Sequence, residues 1–207
     1  EMSEQLAAHE IEIEPWTEIT LGTAARLAGK INIAKRHYLT ALDTFKKNED
    51  REGEGAALGN LGMIARFLGD LDEAESLHQK DLEISREIRD RTAEANTLNS
   101  LGLLEKARGN YAKALSFYFK SHAIFTDIDE ILGEALVFNN IGIVLEIQGL
   151  LSEAEIFHQD SLSIKRDFGD KIGEASSLAN LGIIARKNGE LDRAEKLTRE
   201  AMGIHRE

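Results

Sequence analysis

The chain has 207 residues, of which 42% are hydrophobic and 30% charged, with a net charge of −12, one proline and no cysteine. This composition favours a folded helical protein, excludes disulfides and thiolate metal sites, and fits the cytosol. The acidic balance argues against nucleic acid or anionic lipid as a partner of the whole surface.

No apolar run approaches the roughly 20 residues of a membrane-spanning helix, and no signal-peptide pattern is present. We therefore expect a cytoplasmic protein with no membrane partner. Residues 1–12 do not follow the pattern of the rest of the chain, so we treat them as an N-terminal extension or the tail of an earlier helix.

From residue 13 onward the chain repeats every 40 residues. Each copy carries a glycine, a second glycine seven residues later, and an alanine five residues after that. These positions are Gly22, Gly62, Gly102, Gly142 and Gly182, then Gly29, Gly69, Gly109, Gly149 and Gly189, then Ala34, Ala74, Ala114, Ala154 and Ala194. Three positions in register over five copies indicate a tandem repeat. The copies occupy residues 13–52, 53–92, 93–132, 133–172 and 173–207.

The first half of each copy predicts an amphipathic helix. In the second copy, apolar residues are spaced by three or four positions, which places them on one helix face. They are Leu58, Leu61, Ala65 and Leu68. Gly69 is the residue type preferred just past a helix end, and Asp70 can accept hydrogen bonds from the free amides of the next helix. Gly109 and Asn110 repeat this pair, so we expect Asn110 to cap a helix as well.

The second half of each copy predicts another helix. In the second copy its inner face contains Ala74, Leu77, His78, Asp81 or Leu82, and Ile84. An acidic residue then marks the turn into the next copy, at Asp50, Asp90, Glu130 and Asp170. We interpret each copy as two antiparallel helices, which can approach closely at Gly62 and Ala74 because neither residue has a large side chain. Stacked copies bury the apolar faces that a single hairpin leaves exposed. The predicted fold is an all-α, right-handed superhelical solenoid of about five helical hairpins.

These positions resemble the tetratricopeptide repeat signature, through Leu58, Leu61-Gly62, Gly69, Ala74 and an aromatic ring such as Tyr38 or Tyr118. The period is 40 residues rather than the usual period of about 34, and the proline near the end of the second helix is missing. Both departures imply a longer second helix. Within this family, the chain is similar to the arrays of bacterial signalling ATPases, Pins-type polarity scaffolds and kinesin light chains. The resemblance covers residues 13–207.

The opposite face of each first helix carries the candidate binding residues. At about 100° per residue, this face points away from Leu58 and Leu61. The resemblance implies that it lines a concave groove that holds a protein or peptide ligand. The candidate residues are Arg26, Asn60, Met63, Arg66, Phe67, Asn99, Ser100, Lys106, Asn139, Asn140, Ile143, Ile147, Asn180 and Arg186.

These candidates combine three kinds of side chain. Asparagine amides can bind an extended backbone whatever its sequence, arginines can bind carboxylates, and the apolar residues can contact apolar side chains. We therefore expect an extended or helical ligand that is acidic and partly apolar. Two alternatives stay open, because the asparagines can instead bond a neighbouring helix and the basic residues can be ordinary solvated charges. Polarity scaffolds commonly have asparagine at the position of Met63, so their ligand class is not carried over.

No pattern of a catalytic or metal site is present. His78 and His158 occupy the same internal position as Tyr38 and Tyr118, so we expect them to pack inside the fold. The remaining histidines are His9, His37, His122 and His205, and they lack the spacing of a metal site. No phosphate-binding glycine loop and no serine–histidine–acid arrangement can be placed. We expect no enzymatic activity, no metal and no cofactor.

The leading hypothesis is a protein-interaction scaffold or adaptor. One alternative is a regulatory or sensor segment of a larger multidomain signalling protein. Another is self-association, because the chain stops at Glu207 without the polar capping helix that usually ends a solenoid, leaving Leu197 and Ile204 exposed. The same ending is expected of a piece cut from a longer protein.

Overall fold

The computed structural model describes residues 14–204, which form ten α-helices and no strand. The helices are α1 (Pro15–Leu27), α2 (Ile31–Lys47), α3 (Arg51–Leu68), α4 (Leu71–Glu87), α5 (Arg91–Ala107), α6 (Tyr111–Asp127), α7 (Ile131–Ile147), α8 (Leu151–Asp167), α9 (Lys171–Lys187) and α10 (Leu191–Ile204). They pair in chain order as five hairpins, so the prediction of an all-α array of helical hairpins is confirmed. The N-terminal extension at 1–12, with His9, lies outside the described residues, as does His205.

The chain divides into two compact units, Glu1–Ile84 and Ser85–Glu207. In the first unit, α2 packs against both α1 and α3. In the second unit, each helix from α5 to α10 packs against the next one along the chain.

Each hairpin turns at a glycine in the left-handed region of the backbone. At the end of α3, Gly69 has φ +86°, and the Asp70 N–H donates to the Ala65 carbonyl at 2.9 Å. A Cβ on Gly69 would meet no atom within 4 Å, so the backbone conformation rather than space requires glycine here. The same turn recurs at Gly29, Gly109, Gly149 and Gly189.

Aspartates begin three of the first helices. The carboxylates of Asp50, Asp90 and Asp170 each accept a hydrogen bond from the backbone N–H three residues later, at 2.9, 2.8 and 2.9 Å. Glu130 stands at the equivalent position and makes no such bond. This agrees with the preference for the shorter acidic side chain at a helix start, where its carboxylate reaches the free amides.

The expectation that Asn110 caps α6 is wrong. Its side-chain amide instead donates to the buried Glu105 carboxylate at 2.8 Å, and Lys113 Nζ donates to the same carboxylate at 2.8 Å. This charge-assisted bond orients the Asn110 amide toward Glu105, and its Oδ1 accepts no hydrogen bond from a free amide of α6. Asp70 behaves as expected and accepts from the Glu73 N–H at 3.3 Å.

In four of the five repeats, the first glycine lets a ring from the second helix lie against the first helix, whereas Gly182 of the fifth repeat faces Thr198. A Cβ on Gly62 would come within 2.6 Å of the His78 ring. Gly22, Gly102 and Gly142 face Tyr38, Tyr118 and His158 in the same way. The expected close approach at Gly62 is therefore confirmed, with a ring as the neighbour. His78 and His158 are buried, as expected.

Alanines and larger apolar side chains form the core of each unit. The first unit has a cluster of Ala25, Ala34, Tyr38, Leu61 and Ile64, and the second has one of Leu162, Ala175, Leu178, Leu181 and Ala201. Leu197 and Ile204 are half-buried against the second cluster, so they are less exposed than expected. The prediction that Leu68 joins the apolar face is wrong, because it is 54% exposed. It is the last residue of α3, directly before the turn, where no further helical turn covers it.

Candidate functional site

A cavity of about 250 Å³ lies at the C-terminal ends of α1 and α3 in the first unit. Its lining consists of Arg26, Leu27, Gly29, Ile31, Met63, Ile64, Arg66 and Phe67. Four of these, Arg26, Met63, Arg66 and Phe67, are candidate residues from the sequence, and the structure brings them together. Sequence reasoning missed Leu27 and Ile31, which lie on either side of the glycine turn in the first hairpin.

The two arginines of this cavity have no acidic partner in the part of the chain that the structure describes. Neither Arg26 nor Arg66 forms an ion pair with any residue of the 14–204 range, and Arg26 Nε is buried without a hydrogen-bond partner there. Burial, reinforced by the charge of Arg66, lowers the pKa of His78 to about 4. His78 is therefore neutral at neutral pH, and the positive charge at the cavity comes from the arginines.

Two polar candidates hydrogen-bond to the backbone of their own helix. The Asn60 amide donates to the Ala56 carbonyl at 2.8 Å, and the Ser100 hydroxyl donates to the Asn96 carbonyl at 3.0 Å. Both side chains are half-exposed or less. The Ser100 donor is used in this arrangement, whereas Asn60 keeps a second N–H and its carbonyl oxygen for other partners.

The asparagines of the second unit connect the first helices of successive hairpins. Asn140 Nδ2 on α7 donates to Asn99 Oδ1 on α5 at 2.8 Å, and Asn180 Nδ2 on α9 donates to Asn139 Oδ1 on α7 at 2.8 Å. Asn99 and Asn140 are 5% and 6% exposed. These contacts match the alternative in which the asparagines bond a neighbouring helix. Asn139 and Asn180 are only half-buried and retain unused donors.

The charged candidates of the second unit differ in accessibility. Lys106 is half-buried, whereas Arg186 is exposed and lines a shallow depression between α9 and α10. Glu146 has the same repeat position as these residues and pairs with Lys187 at 2.8 Å. The positive character of this position is therefore interrupted at α7.

An apolar stripe runs along the outer face of α7. Leu132, Leu136 and Ile147 are 41%, 43% and 50% exposed, and Ile143 is half-buried between them. At about 100° per residue these four positions lie within about 60° of one another around the helix axis. Sequence reasoning identified Ile143 and Ile147 and missed Leu132 and Leu136. The missed signal was the interval of 11 residues, three helical turns, from Leu132 to Ile143 and from Leu136 to Ile147.

The described residues provide no arrangement for metal binding or for crossing a membrane. Burial lowers the pKa of His158 to about 4, with Glu146 opposing and Lys165 adding to this effect. Among residues 14–204, no three side chains of the metal-binding types are grouped to hold an ion. Within the same range, no helix combines the length and apolar character needed to cross a membrane.

Three solved structures show the same fold. The Rap protein complexed with Competence and Sporulation Factor matches with a TM-score of 0.84 and 15% identity, over 92% of this chain and 53% of that one. NprR in complex with its cognate peptide NprX matches with a TM-score of 0.75 and 17% identity, over 93% of this chain and 57% of that one. The third structure is the STAND protein PH0952 from Pyrococcus horikoshii, which has a tetratricopeptide repeat sensor. It matches with a TM-score of 0.77 and 20% identity, over 92% of this chain and 29% of that one.

These identities are low, so the likeness to solved structures establishes the fold alone. The chain spans little more than half of the first two proteins and less than a third of the third. No curated protein matches the sequence significantly. The family model for the tetratricopeptide repeat matches residues 14–87, 53–127 and 133–207, nearly the whole chain. With its five glycine-turned hairpins, the chain belongs to the tetratricopeptide repeat family, whose fold generally serves protein interaction and not catalysis.

Proposed function

We propose that this protein is an adaptor that binds an extended or helical segment of a partner protein along the outer faces of its first helices. The segment is acidic and partly apolar, and it lies in the groove expected for the family. The observation that carries this proposal is the apolar stripe of Leu132, Leu136, Ile143 and Ile147 on α7. Exposed apolar residues that form a continuous patch, rather than scattered single residues, mark interaction sites.

The length of the stripe indicates the size of the bound segment. Leu132 and Ile147 are 15 residues apart on α7, which corresponds to about 22 Å at the helical rise. A partner segment of about 15 helical residues or about seven extended residues spans this distance. The half-buried Asn139 and Asn180 lie on the same faces and would hydrogen-bond an extended backbone through their remaining donors.

The comparisons support the class of ligand without identifying it. NprR, which shares the fold, was solved with its cognate peptide. A peptide or protein segment is therefore the partner that this fold accommodates in a related array.

A cross-linking experiment tests the proposal. A photoreactive phenylalanine analogue replaces Leu136 on α7 or, as a matched control, Ile156 on α8, which is 58% exposed on the second helix of the same hairpin. We expect one protein from the native lysate to cross-link at position 136 and not at 156, and its cross-linked peptide to be acidic and partly apolar. Equal cross-linking at both positions would exclude the α7 face.

A regulatory segment of a larger signalling protein is the second candidate. PH0952 carries its tetratricopeptide repeats as a sensor, and this chain matches only 29% of that protein. In such an arrangement the faces described above would hold a neighbouring domain of the same polypeptide. The flanking genomic sequence tests this candidate, since a nucleotide-binding or DNA-binding domain in the same reading frame is expected.

Self-association is a third candidate, favoured by exposed apolar residues on α10. Leu191 is 67% exposed and Met202 is 53% exposed on this last described helix. Light scattering over a hundredfold range of concentration tests it. A mass that stays at that of one chain would rule it out.

A further inference from the structure

Among the described residues, the lining of the cavity between α1 and α3 carries two positive charges, Arg26 and Arg66, and no negative one. Within residues 14–204, no carboxylate pairs with either guanidinium, although the protein as a whole carries a net charge of −12. Two like charges that line one cavity repel each other, so an anion bound between them would relieve that repulsion.

Arg26 provides a second, independent observation. Its Nε is buried and has no hydrogen-bond partner among the described residues. A buried donor without an acceptor raises the free energy of the fold, and an acceptor that enters the cavity removes this cost. A guanidinium matches the two oxygens of a carboxylate better than any other side chain does.

The remaining walls restrict what kind of anion can bind. They include Leu27, Ile31, Met63 and Phe67, which offer hydrocarbon and an aromatic ring. A free inorganic anion would lose water against these apolar walls and gain no favourable contact with them. An anion attached to an apolar body would satisfy the arginines and the hydrocarbon walls together.

We propose that this cavity binds a glutamate or aspartate side chain of the partner segment together with the apolar side chain next to it. This proposal rests on the proposed function and names the chemistry that the partner must present to the first unit. At the ends of α1 and α3, the partner needs an acidic residue with an apolar neighbour. The α7 stripe consists of apolar residues, so it does not require an acidic residue in its ligand.

The experiment uses nuclear magnetic resonance of the full chain, observing the side-chain Nε–Hε signals of its arginines. The probe is acetyl-Leu-Glu-Leu amide, compared with acetyl-Leu-Gln-Leu amide and with inorganic phosphate. We expect saturable shifts of the Arg26 and Arg66 signals with the glutamate peptide. The glutamine peptide should bind at least about tenfold more weakly, because it lacks the charge that strengthens the hydrogen bonds.

Two variants and one control test the residues. Arg26→Gln and Arg66→Gln should each weaken binding of the glutamate peptide about tenfold or more. Arg36→Gln serves as the matched control, because Arg36 is an exposed arginine on α2 outside the cavity, and it should leave binding unchanged. Circular dichroism confirms that every variant keeps its helices.

Several results would overturn the proposal. Equal binding of the glutamine peptide would show an apolar cavity that does not select charge. Equal shifts with phosphate would show unselective anion attraction, and the absence of any shift at millimolar peptide would show no site. Failure here with position-specific cross-linking retained at Leu136 would refute the cavity alone, whereas loss of that cross-linking would refute the proposed function.

Discussion

Two buried histidines make this fold sensitive to acid. The rings of His78 and His158 are 1% and 0% exposed, and neither ring nitrogen has a hydrogen-bond partner among the described residues. Burial, the main cause, lowers the pKa of both from 6.5 to about 4. Both rings are therefore neutral in the folded chain at neutral pH.

The direction of the effect follows from proton linkage. The unfolded chain takes up these protons near pH 6.5 and the folded chain only near pH 4, so stability falls as the pH drops through this window. Each histidine then removes about 2 kcal/mol at pH 5 and about 3 kcal/mol at pH 4. For both together the loss between pH 7 and pH 5 is about 4 kcal/mol, a large part of the roughly 5–15 kcal/mol of a typical domain. The buried Glu105 and Glu174 have lowered pKa values and contribute only below about pH 4.5.

Urea denaturation at pH 7 and pH 5, followed by circular dichroism, measures this loss. The comparison variant is His78→Phe with His158→Phe, because Tyr38 and Tyr118 show that a six-membered ring fits against the glycine at this position. We expect the parent to lose about 4 kcal/mol between the two pH values and the double variant to lose less than about 1 kcal/mol. If the double variant kept the parent's full pH dependence, the histidines would not be its cause.

Three further perturbations test the packing and the binding faces. Gly62→Leu should lower stability by roughly 1–3 kcal/mol in thermal melting, because a ring lies 2.6 Å from where its Cβ would be, whereas Gly203→Ala has open space and should melt like the parent. Asn140→Ala should cost about 1–2 kcal/mol in urea denaturation, because it removes a buried hydrogen bond between successive hairpins, and an unchanged midpoint would contradict that role. Arg66→Glu with Arg186→Glu should abolish partner capture while circular dichroism shows unchanged helicity, and undiminished capture would remove both arginines from the binding faces.

The proposed binding residues show which properties the sequence pattern predicts and which it does not. Helical periodicity correctly separated the outer positions of α3, such as Met63 and Phe67, from the buried ones. Helical periodicity does not predict which hydrogen bonds an outer polar side chain forms. Asn140 and Asn180 bond the preceding hairpin, and only the packing of successive first helices brings their amides to Asn99 and Asn139.

The same limit applies to the ends of helices. Asp70 and Asn110 stand at equivalent positions with similar capping preferences, yet only Asp70 bonds a free amide of the helix that it begins. Glu105 diverts the Asn110 amide, and that carboxylate is a feature of the third repeat alone. The capping preference of a residue type is an average over many proteins with different neighbouring side chains. The hydrogen bond that Asn110 forms depends on the one neighbour present here, Glu105.

The sequence by itself determined the number of hairpins, the position of their turns and most of the residues that face inward. Glycine at a left-handed turn and apolar residues at helical spacing act locally, so their consequences can be derived without distant contacts. Tertiary structure alone decided that Arg26 and Arg66, 40 residues apart in the chain, line one cavity and have no acidic partner within residues 14–204. The reason is physical: whether two charges meet, and whether anything neutralises them, depends on distances between helices that no local rule contains.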